Sequence, residues 1–159
     1  MIKFKIDGKP QAKQSVKFAH VGKFIRKYTP KEMVNYANWV KQSFKIAYPD
    51  HFPSVFYEKP LNVRIIVNVE IPKSFSQKKR AAAISGSIIP ITKPDCDNIA
   101  KNICDALNGL AYPDDKQIAR LVVEKVYNTS PYVVLEIYEL AKATNQDESN
   151  QTNLFKEEN

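Results

Sequence analysis

Apolar and polar residues alternate from the start of the chain. Ile2, Phe4 and Ile6 enclose Lys3 and Lys5, the two-residue period of a half-buried strand. Asp7-Gly8-Lys9-Pro10 has turn chemistry, and a second strand is predicted near residues 16–19. The period then lengthens. Thr29 is placed as an N-cap, Pro30 as a first-turn residue and Glu32 as the acid of a capping box. Behind them Met33, Tyr36, Ala37, Val40, Phe44 and Ala47 recur at helical spacing, until the interval between Pro49 and Pro60 interrupts the pattern. Leu61, Val63, Ile65, Val67, Val69 and Ile71 then form the clearest strand in the chain. Ser76 is placed to cap a short basic helix running through Gln77-Lys78-Lys79-Arg80 to Ala83, and residues 85–92 read as a loop rich in Ser, Gly and Ile. Residues 97–110 form a third helical stretch, with Gly109 ending it as a C′ residue. Two further strands, 117–127 and 132–138, flank Asn128-Thr129-Ser130-Pro131 and read as an antiparallel hairpin. The pattern predicts one α+β domain over residues 1–140, a mixed or antiparallel sheet packed by helices. Residues 141–159 are polar and read as a disordered tail.

Composition narrows the class. The length of 159 residues suits one domain, and no run of apolar residues is long enough to span a membrane. Met1-Ile2-Lys3-Phe4-Lys5 lacks the apolar core of a signal peptide, so a cytoplasmic location is expected. Cys96 and Cys104 lie on or beside one helix, where eight residues of rise hold them about 12 Å apart, too far for a disulfide. His20 and His51 are remote from each other, show no zinc-ligand spacing and read as ordinary surface or loop residues. The formal net charge of +7 favours a polyanionic partner.

Against that basic background stands a compact group of acids. Lys93-Pro94-Asp95-Cys96-Asp97-Asn98-Ile99-Ala100-Lys101 is followed by Asp105 and then by Pro113-Asp114-Asp115. At about 100° per residue, Asp97, Asn98, Lys101, Asn102, Asp105 and Asn108 fall on one side of the helix. Ile99, Ala100, Ile103, Cys104, Ala106, Leu107 and Leu110 fill the other side, which must dock on the sheet. Singly, these acids have simple explanations: Asp97 as an N-cap, Asp95 and the Asp114-Asp115 pair as turn residues, and Asp105 as a solvated partner of Lys101. Together they are harder to explain, because carboxylates this close repel one another. A divalent cation removes that repulsion, and oxygen-rich sites suit Mg²⁺ or Mn²⁺. Acids beside a basic surface thus point to metal-dependent hydrolysis of nucleic-acid phosphodiesters, with Lys101 placed to stabilise charge in the transition state.

Lys93–Lys101, Asp105-Ala-Leu-Asn-Gly109 and Asp114-Asp115-Lys-Gln-Ile118 closely resemble the RusA family of Holliday junction resolvases, often encoded by phages and prophages. The resemblance extends over residues 1–138 through an early Gly-Lys-Pro turn, a Pro-Lys-Ser segment and the closing strands; residues 93–118 are its specific part. It implies a RusA-like fold and a homodimeric, Mg²⁺-dependent endonuclease that nicks four-way DNA junctions symmetrically. It also implies that Asp95, Asp97 and Asp115 are catalytic metal ligands, with Asp114 as the alternative to its neighbour, and that Lys101 is the catalytic lysine. Two positions depart from the family pattern. Cys96 stands where an aliphatic residue is usual, and Lys13-Gln14-Ser15-Val16-Lys17 is poorer in arginine than some members.

Basic residues elsewhere suit a DNA-binding rim: Lys13, Lys17, Lys23, Arg26 and Lys27 early, then Lys73, Lys78, Lys79, Arg80 and Lys93. Phe18, Phe24, Tyr28 and Phe75 lie among them and could stack on bases, although aromatics near strand ends are more often core. Ile84, Ile88, Ile89 and Ile91 are candidates for a dimer interface, or for packing on their own subunit. The expected function is a structure-selective endonuclease acting on branched DNA as a homodimer. The alternatives are a metal-dependent phosphoesterase acting on other nucleic acids and a non-catalytic DNA-binding module.

Overall fold

Strand β4 (Leu61–Glu70), whose apolar alternation is the strongest in the chain, lies inside a four-stranded sheet. The computed structural model describes residues 1–12, 17–21, 24–28 and 31–140. In chain order the elements are β1 (Ile2–Asp7), β2 (Lys17–Val21), β3 (Phe24–Tyr28), α1 (Lys31–Ala47), β4, α2 (Gln77–Ile84), α3 (Cys96–Leu107), β5 (Ile118–Asn128) and β6 (Tyr132–Glu139). Short 3₁₀ turns occupy Pro53–Phe56 and Asp115–Gln117. The sheet order is β1-β6-β4-β5, and β2 pairs with β3 in a separate antiparallel ribbon.

One face of the sheet carries the core. Ile2, Phe4 and Ile6 of β1, Val63, Ile65 and Val67 of β4, and Val133, Leu135 and Ile137 of β6 are all buried. They join one cluster with Tyr36, Val40 and Phe44 of α1 and Ile99, Ile103 and Leu107 of α3. Each such side chain contributes about 1.5–3 kcal/mol when removed from water. That burial clamps α3 to the sheet by its apolar stripe and leaves its acids outside. The opposite face is polar, with Lys3 paired to Glu136 at 2.7 Å and Arg64 to Glu124 at 2.9 Å.

The expected hairpin between the last two strands does not form. β5 pairs with β4 in parallel, β6 pairs with β4 antiparallel, and β4 separates them. The short link from Asn128 to Tyr132 therefore crosses the end of β4, a span of two strand spacings, or about 9.5 Å. Side chains satisfy the crossing. Asn128 Nδ2 donates to Asn68 Oδ1 at 3.0 Å and to the Tyr132 hydroxyl at 3.1 Å, while Ile71 N–H reaches the Asn128 carbonyl at 3.0 Å. Asn-Thr-Ser-Pro marks a turn, but turn residues do not say whether the strands they join are neighbours.

Other differences are local. β3 has no counterpart in the predicted elements, and α3 begins at Cys96, with Asp95 as its N-cap residue. Ser76 caps α2, accepting from Lys79 N–H, and Gly109 adopts φ +69°, as its C′ position requires. His51 is no free surface residue. It is half-buried against Phe44, Tyr48 and Phe56, and its Nε2 lies 2.8 Å from the Ala111 carbonyl, to which it must donate. The proposed Thr29–Pro30 cap and the 141–159 tail lie outside the described residues. Among the described residues, no helix is long and apolar enough to cross a membrane.

Candidate active site

Helix α3 and the turn after it build the acidic site from two directions. Asp97, Lys101 and Asp105 are exposed on successive turns of α3. Gly109 then lets the chain reverse. Gly109 N–H bonds the Tyr112 carbonyl at 2.9 Å, and Ala111 N–H bonds the Leu107 carbonyl at 2.9 Å. The buried Tyr112 hydroxyl donates to the Cys104 carbonyl at 3.0 Å, and His51 holds Ala111 from the other side. Gln117 Nε2 donates to the carbonyls of Phe56 and Lys59, fixing the end of the turn to the body of the protein. The reversed chain delivers Asp115 to the flank of α3.

The result is an open cleft of about 450 Å³ lined by Asp97, Ala100, Lys101, Cys104, Asp105, Asp115, Ile118, Leu121 and Val123. Its floor is apolar and belongs to β5 and the inner side of α3. Its rim carries three carboxylates and one ammonium. Burial pushes the Cys104 thiol up to about 11, and the negative charges of Asp115 and Asp105 press it in the same direction. At neutral pH this thiol is a protonated floor residue without nucleophilic character. Burial likewise raises the Tyr112 phenol, which remains a hydrogen-bond donor.

Asp114 and Asp115 have different tasks despite being adjacent. The Asp114 carboxylate caps the 3₁₀ turn, accepting from Lys116 N–H at 3.0 Å, and it pairs with Lys116 Nζ at 3.2 Å. Gln117 Oε1 completes a capping box by accepting from Asp114 N–H at 3.2 Å. The hydrogen bonds from Lys116 hold the Asp114 carboxyl below the usual carboxylate range. Asp115 lines the cleft; Asp114 does not.

Asp95 sits at the N-cap of α3, exposed, and its carboxylate makes no capping hydrogen bond. It is not among the residues lining the cleft. Among the described residues, no three carboxylates, thiols or imidazoles are grouped closely enough to hold an ion by themselves. Mg²⁺ does not require such a cage, since it commonly uses one or two carboxylates together with waters and substrate phosphates. Asp97 and Asp115, two hard oxygen donors facing one solvent-open cleft, fit that chemistry.

Of the polar residues of α3, Asp105 follows the helical projection and Asn102 departs from it. Asp105 shares the cleft with Asp97 and Asp115, as its place eight residues after Asp97 allowed, although it was not among the expected site residues. Asn102 leaves the polar face: it is buried and donates Nδ2 to the Gln11 carbonyl at 2.9 Å, tying α3 to the segment that leads into β2.

The basic residues divide into several groups. Lys73 and Lys78 are exposed. Lys79, also exposed, rests over the Phe75 ring with its ammonium 4.1 Å from the centroid. Arg80 is half-buried, with Nη1 3.4 Å from the Pro72 carbonyl. Phe75 itself packs edge-on against Tyr127 at 5.6 Å and carries the Lys79 ammonium over one face. Lys93 is exposed at the mouth of a separate cavity of about 260 Å³, together with Lys9 and Glu70. Phe24, at the tip of the β2–β3 ribbon, is 78 % exposed. Lys13 lies outside the described residues, as do the side chains of Lys17, Phe18, Arg26 and Tyr28.

Residues 7–138 match the family described as Endodeoxyribonuclease RusA. The chain is also 36 % identical over 107 residues to an uncharacterized protein, YqaN, of Bacillus subtilis strain 168, an alignment covering 66 % of this chain and 75 % of that protein.

Proposed function

Since the chain belongs to the RusA endodeoxyribonuclease family, we propose that it hydrolyses phosphodiesters of four-way DNA junctions with the help of Mg²⁺ or Mn²⁺. The observation that carries this reading is the convergence of Asp97 and Asp115, from separate parts of the chain, on one cleft that also holds Lys101. Carboxylates on the rim of a basic DNA-binding protein hinder binding unless a cation sits between them and the phosphate. Asp97 and Asp115 would hold that ion, with Asp95 beside them at the head of α3. The chemistry it supplies is charge neutralisation at the phosphate and a more acidic water.

The chain's own residues account for the other requirements. Lys101, one turn beyond Asp97, presents an ammonium to the negative charge that grows on the phosphate oxygens. Asp105 lies one turn further and is positioned to orient water or the Lys101 ammonium. Leu121 and Val123 make the floor apolar, which strengthens the electrostatic interactions above it. The open cleft suits a polymer substrate, which must enter from the side.

Paired incision requires two such sites, so we propose a two-fold homodimer. Ile84, Ile89 and Ile91 are 62 %, 65 % and 94 % exposed, which supports their burial against a second copy. Strand β5, at the sheet edge, also exposes Val126, which lines one pocket together with Ile89. A single assay tests the activity: cleavage of a four-way junction against linear duplex of the same sequence, with Mg²⁺ and with chelator. Equal cutting of both substrates would remove the junction selectivity, and cutting in chelator would remove the metal. Light scattering at micromolar protein tests the dimer, and a monomer that makes paired cuts would exclude it.

A further inference from the structure

We propose that Lys125 is the positioning residue for Asp95: its ammonium pins the loop that presents this acid at the head of α3. The inference rests on the proposed nuclease reading for its consequence, but the pin itself is a structural statement. Lys125 Nζ donates to the Thr92 carbonyl at 2.7 Å and to the Pro94 carbonyl at 3.2 Å. The second is the carbonyl of the peptide leading directly into Asp95. On the far side of that residue, the Asp95 carbonyl accepts Ile99 N–H at 3.1 Å. The backbone of Asp95 is therefore held on both flanks, while its carboxylate makes no capping bond and stays exposed.

The origin of the pin matters as much as its bonds. Lys125 belongs to β5 and stands opposite Val67 of β4, as Leu121 stands opposite Val63 and Val123 opposite Ile65. By the two-residue strand period, Leu121, Val123 and Lys125 share one face. The first two form the floor of the acidic cleft. One strand, hydrogen-bonded along its length to β4, thus carries both the floor under Asp97 and Asp115 and the clamp on Asp95. A lysine suits the clamp because it has three donors and no acceptor, so a single ammonium satisfies two carbonyls that converge at the loop. Its half-buried position against the loop commits two of its three donors to protein carbonyls.

The test uses the full chain with Lys125→Met, which keeps an unbranched side chain without donors, and Lys125→Arg, which keeps the cation. Lys125→Gln replaces the methionine variant should that one not fold, judged by amide exchange in β4. On the protein alone, Lys125→Met should accelerate exchange of the Ile99 amide at least fivefold relative to β4 amides, because the first turn of α3 loses its anchor. Mn²⁺ affinity, measured as free Mn²⁺ by electron paramagnetic resonance without DNA, should weaken by about tenfold, as loss of an outer-shell support commonly does. On a four-way junction, kcat should fall with KM unchanged, and Lys125→Arg should recover most of both losses. Unchanged Ile99 exchange in the methionine variant would overturn the pin. A raised KM with a shallower salt dependence and unchanged Mn²⁺ affinity would also overturn the proposal, making Lys125 a phosphate contact. If the wild-type protein holds no Mn²⁺ and cuts no junction, the nuclease reading fails, whereas accelerated Ile99 exchange in the variant still upholds the pin.

Discussion

Replacing Asp97 by Asn changes one charge and almost no volume, and the structure sets three magnitudes for it. The first is stability. Asp97 lies exposed in the first turn of α3, where a carboxylate gains about 0.3–1 kcal/mol from the helix dipole. Losing that interaction lowers Tm by at most about 2–4 °C for a domain of this size. The second is DNA affinity without metal. Two charges about 4 Å apart interact by about 1 kcal/mol in a water-like medium, so removing one carboxylate that faces phosphate should tighten binding by up to about fivefold. The third is catalysis, where losing the carboxylate proposed to hold the cation should lower turnover by roughly 10² or more, beyond the loss seen for outer-shell changes. Differential scanning calorimetry, junction binding in chelator and single-turnover cleavage in Mg²⁺ measure these separately. The expected pattern is a folded variant that binds as well as or better than wild type and does not cut. Full activity would refute the assignment of Asp97, and loss of activity in parallel with weaker binding would make it a DNA contact instead.

Three further outcomes follow from the same geometry. Lys101→Ala should lower kcat by roughly 10² with little change in affinity, measured by single-turnover cleavage, because it removes the proposed transition-state stabiliser and no core contact. Asp115→Asn should abolish cleavage and leave stability nearly intact, whereas Asp114→Asn should keep cleavage and lower stability. The Asp114 carboxyl titrates below its unfolded value in the folded protein, so its contribution is present above pH ~4 and is lost as pH falls through the folded pKa. Urea melts of wild type and Asp114→Asn should therefore differ at pH 7 and converge in acid. Neutralising Lys73 and Lys78, the two freest cations of the α2 region, should flatten log affinity against log salt by roughly 0.9 per lost phosphate contact, equally for different DNA sequences. An unchanged slope would place the DNA path elsewhere.

Where the sequence reading succeeded, local physics was sufficient. The apolar stripe of α3 had to face the sheet, so Ile99, Ile103 and Leu107 are buried while Asp97, Lys101 and Asp105 are outside. Gly109 at φ +69° and Ser76 as a cap are similarly local, each decided by one residue's conformational or hydrogen-bonding capacity. The misses share a different origin. The side chain of Asn102 lies near the border of the polar arc, and its burial depends on a carbonyl ninety-one positions away at Gln11. His51 depends on Ala111 in the same manner, and the strand exchange around β4 depends on Asn68 meeting Asn128 and Tyr132. Such pairings leave no period in the sequence.

The distinction between Asp114 and Asp115 shows how a local motif becomes a site only through tertiary structure. Adjacent aspartates in a turn are interchangeable by composition. What separates them is that Asp114 is the residue whose extended backbone, at φ −156° and ψ 136°, starts the 3₁₀ turn, so its carboxylate folds back onto Lys116 N–H. The next residue is then free to face α3, and it meets the helix because Tyr112, His51 and Gln117 hold the turn against the body of the protein. The same reasoning applies at the head of α3, where Asp95 starts the helix without capping it and Lys125 holds the chain that leads to it. In both places a neutral or cationic side chain spends its hydrogen bonds on backbone carbonyls and so fixes the chain that carries the nearby carboxylate. For the proposed cation site that arrangement matters, because backbone held by other side chains keeps a carboxylate in place without using up its own oxygens, and a carboxylate satisfied by protein donors has less affinity left for an ion.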